Sequence, residues 1–379
     1  ALKESASAIQ QLEALRDEAP DRCDLAIRLA ETLVNRGTLL DRQDESAAAM
    51  ESLRAAIGVL EGLQPRAALP EDVTHQLAIA YNSLSVAEAR AGAPAMLDSA
   101  ARAVALLEAA CGEDRATDEW RADLALSRCN LAALQGQRGE IAAAITSFEE
   151  AIALRESLLR KAPWLVRHRV ELGVSLTNLG MLRMESGDPV GALESFRYAN
   201  RLYRELVTDH PAQIEYAAGL AALLNNQGLV LSRHDQQQPA AAAYEEGIAL
   251  QRLVVQRLPG SLEARDALSR VSYNQARLFA RQENWGAAIT AADERRRLWR
   301  GDGERLAGVA LQFLELHTAA GERGDSALKV RVIDTLLEAI EAGYEPSGPL
   351  RADERFASVA EWPEADLLRV AWGRLISAG

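Results

Sequence analysis

Residues 166–211 decide the fold: VRHRVELGVSLTNLGMLRME over Val166–Glu185, then Ser186-Gly187-Asp188-Pro189, then VGALESFRYANRLYRELVTD, closed by His210-Pro211. Leu172, Leu176, Leu179 and Leu182 recur at intervals of four and three, so one apolar stripe runs down a helix. Gly187 tolerates the turn, and Asp188 and Pro189 make an N-cap and first-turn pair for a second helix through Gly191–Asp209. Pro211 then ends that helix. The stretch reads as two antiparallel helices of about 20 residues, each roughly 30 Å long.

The unit repeats along the chain. An Asn inside a helical pattern falls at Asn35, Asn82, Asn130, Asn178, Asn226 and Asn274, with gaps of 47, 48, 48, 48 and 48. Pro163, Pro211 and Pro259 keep the same interval, each 15 residues before its Asn, and Pro20 precedes Asn35 by 15. Phe148, Phe196 and Tyr244 are 48 apart, as are Ala144, Ala192, Ala240 and Ala288. A fixed period of this size is the mark of a solenoid, because one helix pair cannot bury its own apolar face.

The arithmetic predicts helix pairs near 23–64, 71–111, 117–162, 165–210, 213–258, 261–299 and 303–342. The last is degenerate, with Glu315 near the Asn position and Gly324 and Ala327 at its turn. Residues 1–22 read as a lone second helix of a preceding unit, 23–342 as the solenoid and 343–379 as a C-terminal cap with Phe356, Trp362 and Trp372 inside it. A start in mid-repeat, with Ala in place of Met, is what a piece of a longer protein would show. Small residues such as Gly180, Ala192 and Ala199 would let helices approach, with Phe148, Phe196 and Tyr244 filling beside them.

These residues resemble the tetratricopeptide repeat family. Asn178-Leu179-Gly180 followed by Gly187, Ala192, Phe196, Ala199 and Pro211 follows that signature. Asn226-Gln227-Gly228, Ala240 and Tyr244 follow it again, with Gly247 at the second Ala position. The resemblance covers about 23–342 and departs from the family in its longer period. It implies an all-α, right-handed solenoid of six to seven helix pairs with a ~48-residue period. The repeat style, and a tail of Leu337–Gly343, Leu350, Asp353, Phe356 and Trp362-Pro363, also resemble the C-terminal regions of planctomycete-type serine/threonine protein kinases. That second resemblance implies a bacterial signalling protein with a kinase domain upstream.

Composition bounds the partners. The 379 residues carry 42 Lys+Arg against 55 Asp+Glu, a net charge of -13, with 48% hydrophobic and 5% aromatic residues. The acidic balance argues against nucleic acid and against an anionic membrane surface. No apolar run reaches the length of a membrane span. Cys23, Cys111 and Cys129 are too few and scattered for a disulfide framework, which suits a reducing, cytoplasmic setting. No phosphate loop, kinase motif, nucleophile elbow or metal-ligand spacing is present, so the expectation is a non-catalytic chain without a cofactor. Glu149-Glu150, Glu245-Glu246 and Arg295-Arg296-Arg297 read as solvated faces.

The resemblance places the Asn row of each first helix on the concave groove. There an amide could hold a peptide backbone, or bond the neighbouring repeat and fix the stacking. Arg270, Asn274, Arg277 and Arg281, spaced 4, 3 and 4, form one polar stripe. With Arg233 this stripe could take a carboxylate or phosphate, or instead pair with Glu263 and Asp266. His75, Asp123, Glu171 and Glu185 make the other half less basic. The expected partner is a peptide or protein segment, acidic at one end, held at Asn35, Asn82, Asn130, Asn178, Asn226, Asn274, Arg233, Arg270, Arg277 and Arg281. The alternative is self-association into homo-oligomers.

Overall fold

The computed structural model describes residues 2–19, 22–63, 71–112, 117–321, 326–346 and 348–378. Pro20 and Gly324, two of the sequence markers, lie outside them. The described residues form helices and turns, with no strand among them. The chain divides into two compact units, residues 1–202 and 203–379.

The first unit opens with α1 (Leu2–Glu18). Three helix pairs follow: α2 (Cys23–Arg42) with α3 (Ser46–Glu61), α4 (Glu71–Arg90) with α5 (Met96–Cys111), and α6 (Asp118–Gln137) with α7 (Ile141–Lys161). Then come α8 (Val166–Glu185) and α9 (Pro189–Asp209), the unit boundary falling within α9. The second unit holds α10 (Ile214–Arg233) with α11 (Gln237–Arg257), α12 (Leu262–Arg281) with α13 (Trp285–Leu298), and α14 (Gly303–Ala320) with α15 (Ser326–Glu341). Short 3-10 turns at 350–365 lead into α16 (Asp366–Ala378). Within each unit, each pair packs on the next. The first helices of adjacent pairs also touch, α2 on α4, α4 on α6, α10 on α12 and α12 on α14. The fold is an all-α, tetratricopeptide-like solenoid.

The turn inside the six pairs from α2 to α13 has a recurring cause. Asp44, Gly92, Gly139, Gly187, Asp235 and Glu283 all take positive φ, between 55° and 82°. Glycine enters that region freely and Asp does so with modest strain. At α9 the Asp188 Oδ1 accepts from the Gly191 amide at 2.9 Å, so the Asp-Pro pair caps the helix.

Packing follows the small-large pattern. A Cβ on Gly180 would meet Phe196 Cε1 at 2.4 Å, and one on Gly228 would meet Tyr244 Cε1 at 2.6 Å. Glycine at these points is therefore steric: it admits a fully buried ring that contributes roughly 1.5–3 kcal/mol. In the second unit Phe356 and Trp372 are buried in one cluster with Phe313, Leu336 and Tyr344. The Trp372 indole N–H donates to Gly348 O at 2.9 Å.

Candidate functional site

The Asn row lies where each first helix meets its neighbours. Asn35 and Asn178 are exposed, and Asn82, Asn130, Asn226 and Asn274 are half-buried. Asn130 Nδ2 donates to Asn82 Oδ1 at 3.0 Å, so these two amides join α6 to α4. In the second unit Asn274 Nδ2 donates at 2.8 Å to Asn225, one place before Asn226 of the row. Asn226 instead accepts from Asn225 at 3.4 Å. The row thus works between repeats at Asn82, Asn130 and Asn274, while Asn35 and Asn178 present their amides outward.

Flanking positions carry exposed apolar side chains. Leu126 and Val174 occupy one repeat position, four residues before Asn130 and Asn178, and are 45% and 44% exposed. The same position holds exposed Ala222 and Arg270 in the second unit. Clefts open between adjacent first helices. In the first unit Val86, Ala89, Arg90, Asn130, Ala133, Leu134 and Gln137 line a cleft of about 340 Å³ between α4 and α6.

The second unit divides the arginine stripe between two clefts. Arg270 edges an apolar cleft of about 450 Å³ whose walls include Ala218, Gly219, Ala222, Val254 and Ala267. Arg277 and Arg281 line a separate cleft of about 530 Å³ between α12 and α14, with Tyr273, Trp285, Gln312 and Glu315. No ion pair joins Arg270, Arg277 or Arg281 to Glu263 or Asp266 among the described residues; Asp266 pairs with Arg305. Arg281 Nη1 donates to Ser232 O and Oγ at 3.2 Å, and Arg277 lies 5.7 Å over the Tyr273 ring. Arg233 is exposed at the end of α10 and makes a contact of its own. Burial pushes the Tyr244 phenol up to about 12, while Arg281, Arg277 and Arg233 pull it down, so their charges converge near one ring.

The basic run on α13 is not a solvated face. Arg295 packs 5.1 Å over the Tyr273 ring, and its Nε donates to Ser269 Oγ at 2.9 Å. A further bond goes to Gln312 Oε1. Burial lowers its pKa to about 10, against the opposing pull of Tyr273 and Glu315. Arg296 pairs with Glu338 at 2.6 Å, which leaves Arg297 as the exposed member. Sequence patterning missed this because the face of Arg295 is covered by other helices, by Ser269 and Tyr273 of α12 and by Gln312 of α14.

The acidic pairs do lie on solvated faces, where three of the four make surface ion pairs and Glu245 is exposed. Glu149 pairs with Arg183 at 2.7 Å, Glu150 and Glu108 share Arg128, and Glu246 pairs with Arg204 at 2.7 Å. His75 Nε2 lies 2.6 Å from Asp123 Oδ2, and Glu171 lies 3.6 Å from Arg167. Cys129 sits 3.4 Å from Ser175 Oγ, and burial pushes its thiol up. Among the described residues no group of three or more His, Cys, Asp or Glu converges as a metal site. No helix among them is long and apolar enough to cross a membrane.

No protein-family model and no curated protein matches the chain. Solved structures do. The chain is similar in fold to RapI in its apo form, at 12% identity and a TM-score of 0.55, over 100% of this chain and 98% of that one. A tetratricopeptide repeat protein from Parabacteroides merdae is 15% identical over 83% of this chain and 93% of its own, with a TM-score of 0.40. PilF from Pseudomonas aeruginosa is 16% identical over 76% and 96%, with a TM-score of 0.44. The likeness to RapI, end to end on both chains, agrees with the helix-pair architecture.

Proposed function

We propose that this chain is a non-catalytic interaction scaffold that holds a peptide or protein segment along the clefts between its first helices. The observation that carries this reading is the pairing of exposed Leu126 and Val174, one repeat apart, beside the amides of Asn130 and Asn178. Apolar side chains left in water next to amides that donate and accept suit an extended chain with alternating side-chain and backbone demands. The arginines of the second unit add a preference for an acidic end. The kinase-like tail resemblance supports the setting of this role, the recruitment or regulatory region of a larger signalling protein in the cytoplasm.

The test places a photo-cross-linking amino acid at Val174, and separately at Ala142, an exposed residue of α7. Adducts from position 174 and none from 142 are expected in cell extract. Adducts from 142 alone would overturn the reading. Self-association is the second reading, favoured by Leu367 and Val370, which stand 73% and 53% exposed on α16. It predicts a mass that rises with concentration in sedimentation equilibrium, and a return to monomer in Leu367→Asp.

A further inference from the structure

We propose that the cleft between α12 and α14 selects two adjacent residues of the bound peptide, a carboxylate and a bulky apolar side chain. This rests on the peptide-binding reading above and names what that surface recognises. The cleft's volume of about 530 Å³ falls in the roughly 300–1,000 Å³ range of ligand pockets, more than one small side chain needs.

Its lining has two kinds of wall. One is cationic, with Arg277 and Arg281 both exposed. Arg281 is already anchored to Ser232, so little of its side-chain freedom remains to be lost on binding. Beneath them Arg295 bonds to Ser269 and Gln312, and no carboxylate lies within ion-pair distance of it among the described residues. Two acids oppose this charge. Glu283 sits on the lining with an interaction of its own, and Glu315 accepts a hydrogen bond from the Tyr273 hydroxyl at 3.1 Å. On the lining itself Arg277 and Arg281 balance Glu283 and Glu315; Arg295, outside the lining and stacked on Tyr273, adds the further positive charge in a chain whose net charge is -13.

The other wall is apolar: Trp285, Ala280, Leu316 and Ala319. A carboxylate alone would leave that wall wet, and an apolar group alone would leave the exposed guanidinium edges without a bound anion. Both demands are met when the two groups are neighbours on one chain. The α4–α6 cleft lacks this chemistry. It has no aromatic residue, and the charge of its arginine, Arg90, is met by an ion pair with Asp41, Nε to Oδ2 at 3.4 Å. The selective position therefore belongs to the last repeats.

The experiment is selection from a random-peptide display library on the immobilised wild-type chain. Affinity of the selected consensus is then measured by fluorescence anisotropy against wild type, Arg277→Glu and Ala319→Trp. Arg277 and Ala319 are exposed, the new indole fills the apolar side of the cleft, and circular dichroism checks that each variant keeps the wild-type helix content. The expected consensus joins Asp or Glu to Phe, Trp, Leu or Met, and each variant weakens it by about tenfold or more. A consensus without that pair, or one bound equally by the variants, overturns this inference and leaves the groove reading standing. A selection with no consensus overturns both.

Discussion

Asn130 Nδ2 donates to Asn82 Oδ1 at 3.0 Å, so two amides one repeat apart bond to each other rather than to solvent. Asn lowers helix propensity, and its presence mid-helix in successive pairs needs a compensating interaction. The amide bond supplies one, and it also sets how α6 seats on α4. Asn130→Ala should lower stability by about 1 kcal/mol, and a double-mutant cycle with Asn82→Ala should give a coupling of about 0.5–1.5 kcal/mol. Urea unfolding measures both. Zero coupling would return these amides to ligand contact alone.

The glycines of the first and second helices separate steric from conformational demands. Gly180→Ala and Gly228→Ala place a methyl against buried rings and should each cost about 1–3 kcal/mol. Phe196→Leu should recover part of the Gly180→Ala loss by giving the methyl room. Gly58 of α3 is the control: a Cβ there meets nothing within 4 Å. Gly58→Ala should stabilise by about 0.5–1 kcal/mol through helix propensity. Thermal melts of the four variants decide this, and equal losses at all three glycines would defeat the steric account.

The period made the helix pairs legible before any coordinates. Gly187-Asp188-Pro189 marked the turn, and α8 and α9 end within two residues of where the pattern placed them. Gly180 and Phe196 were legible for the same reason, since a small and a large residue recur at fixed places. What did not show was pairing across the interface. Asn274 bonds Asn225 rather than Asn226, since both amides of that pair lie within reach of α12 and the repeat alone does not say which one meets it. The arginine stripe on α12 is one face of a helix, yet α10 and α14 divide it into two clefts. Arg295 reads as solvated from its own helix, and its cover comes from α12 and α14 together. Periodicity reports which way a residue points on its own helix, and the depth of the neighbour's packing decides the rest.

Two buried tyrosines set the alkaline limit of the second unit. Burial pushes both Tyr203 and Tyr244 up to about 12, from an ordinary value near 10 in the unfolded chain. A raised folded value means the folded state keeps the proton longer than the unfolded state does. The stability these two tyrosines contribute is therefore full below pH ~10 and is lost as pH rises from ~10 towards ~12. Spectrophotometric titration at the phenolate band should show these two ionising last, together with loss of helix. Tyr203→Phe/Tyr244→Phe should flatten that decline. A wild-type titration in which all tyrosines ionise near pH 10 with helicity intact would contradict the burial argument.

Trp372 tests how locally the chain unfolds. Its ring packs edge-on against Tyr344 and Phe356, with centroids 5.9 and 6.1 Å away, and it is 1% exposed. Truncation to Ala removes those contacts and leaves a cavity, a loss of about 3–5 kcal/mol. In a repeat protein such a loss falls first on the repeats that touch the damaged site, because stability is a sum of neighbouring terms. Amide exchange in Trp372→Ala should therefore accelerate over α14, α15 and α16 while α4 and α6 in the first unit keep their wild-type protection. Trp372→Phe preserves the ring packing but not the bond to Gly348, and should lie between the two. Uniform acceleration along the whole chain would show that the two units unfold as one cooperative body, and that the C-terminal aromatic cluster supports far more than the helices it covers.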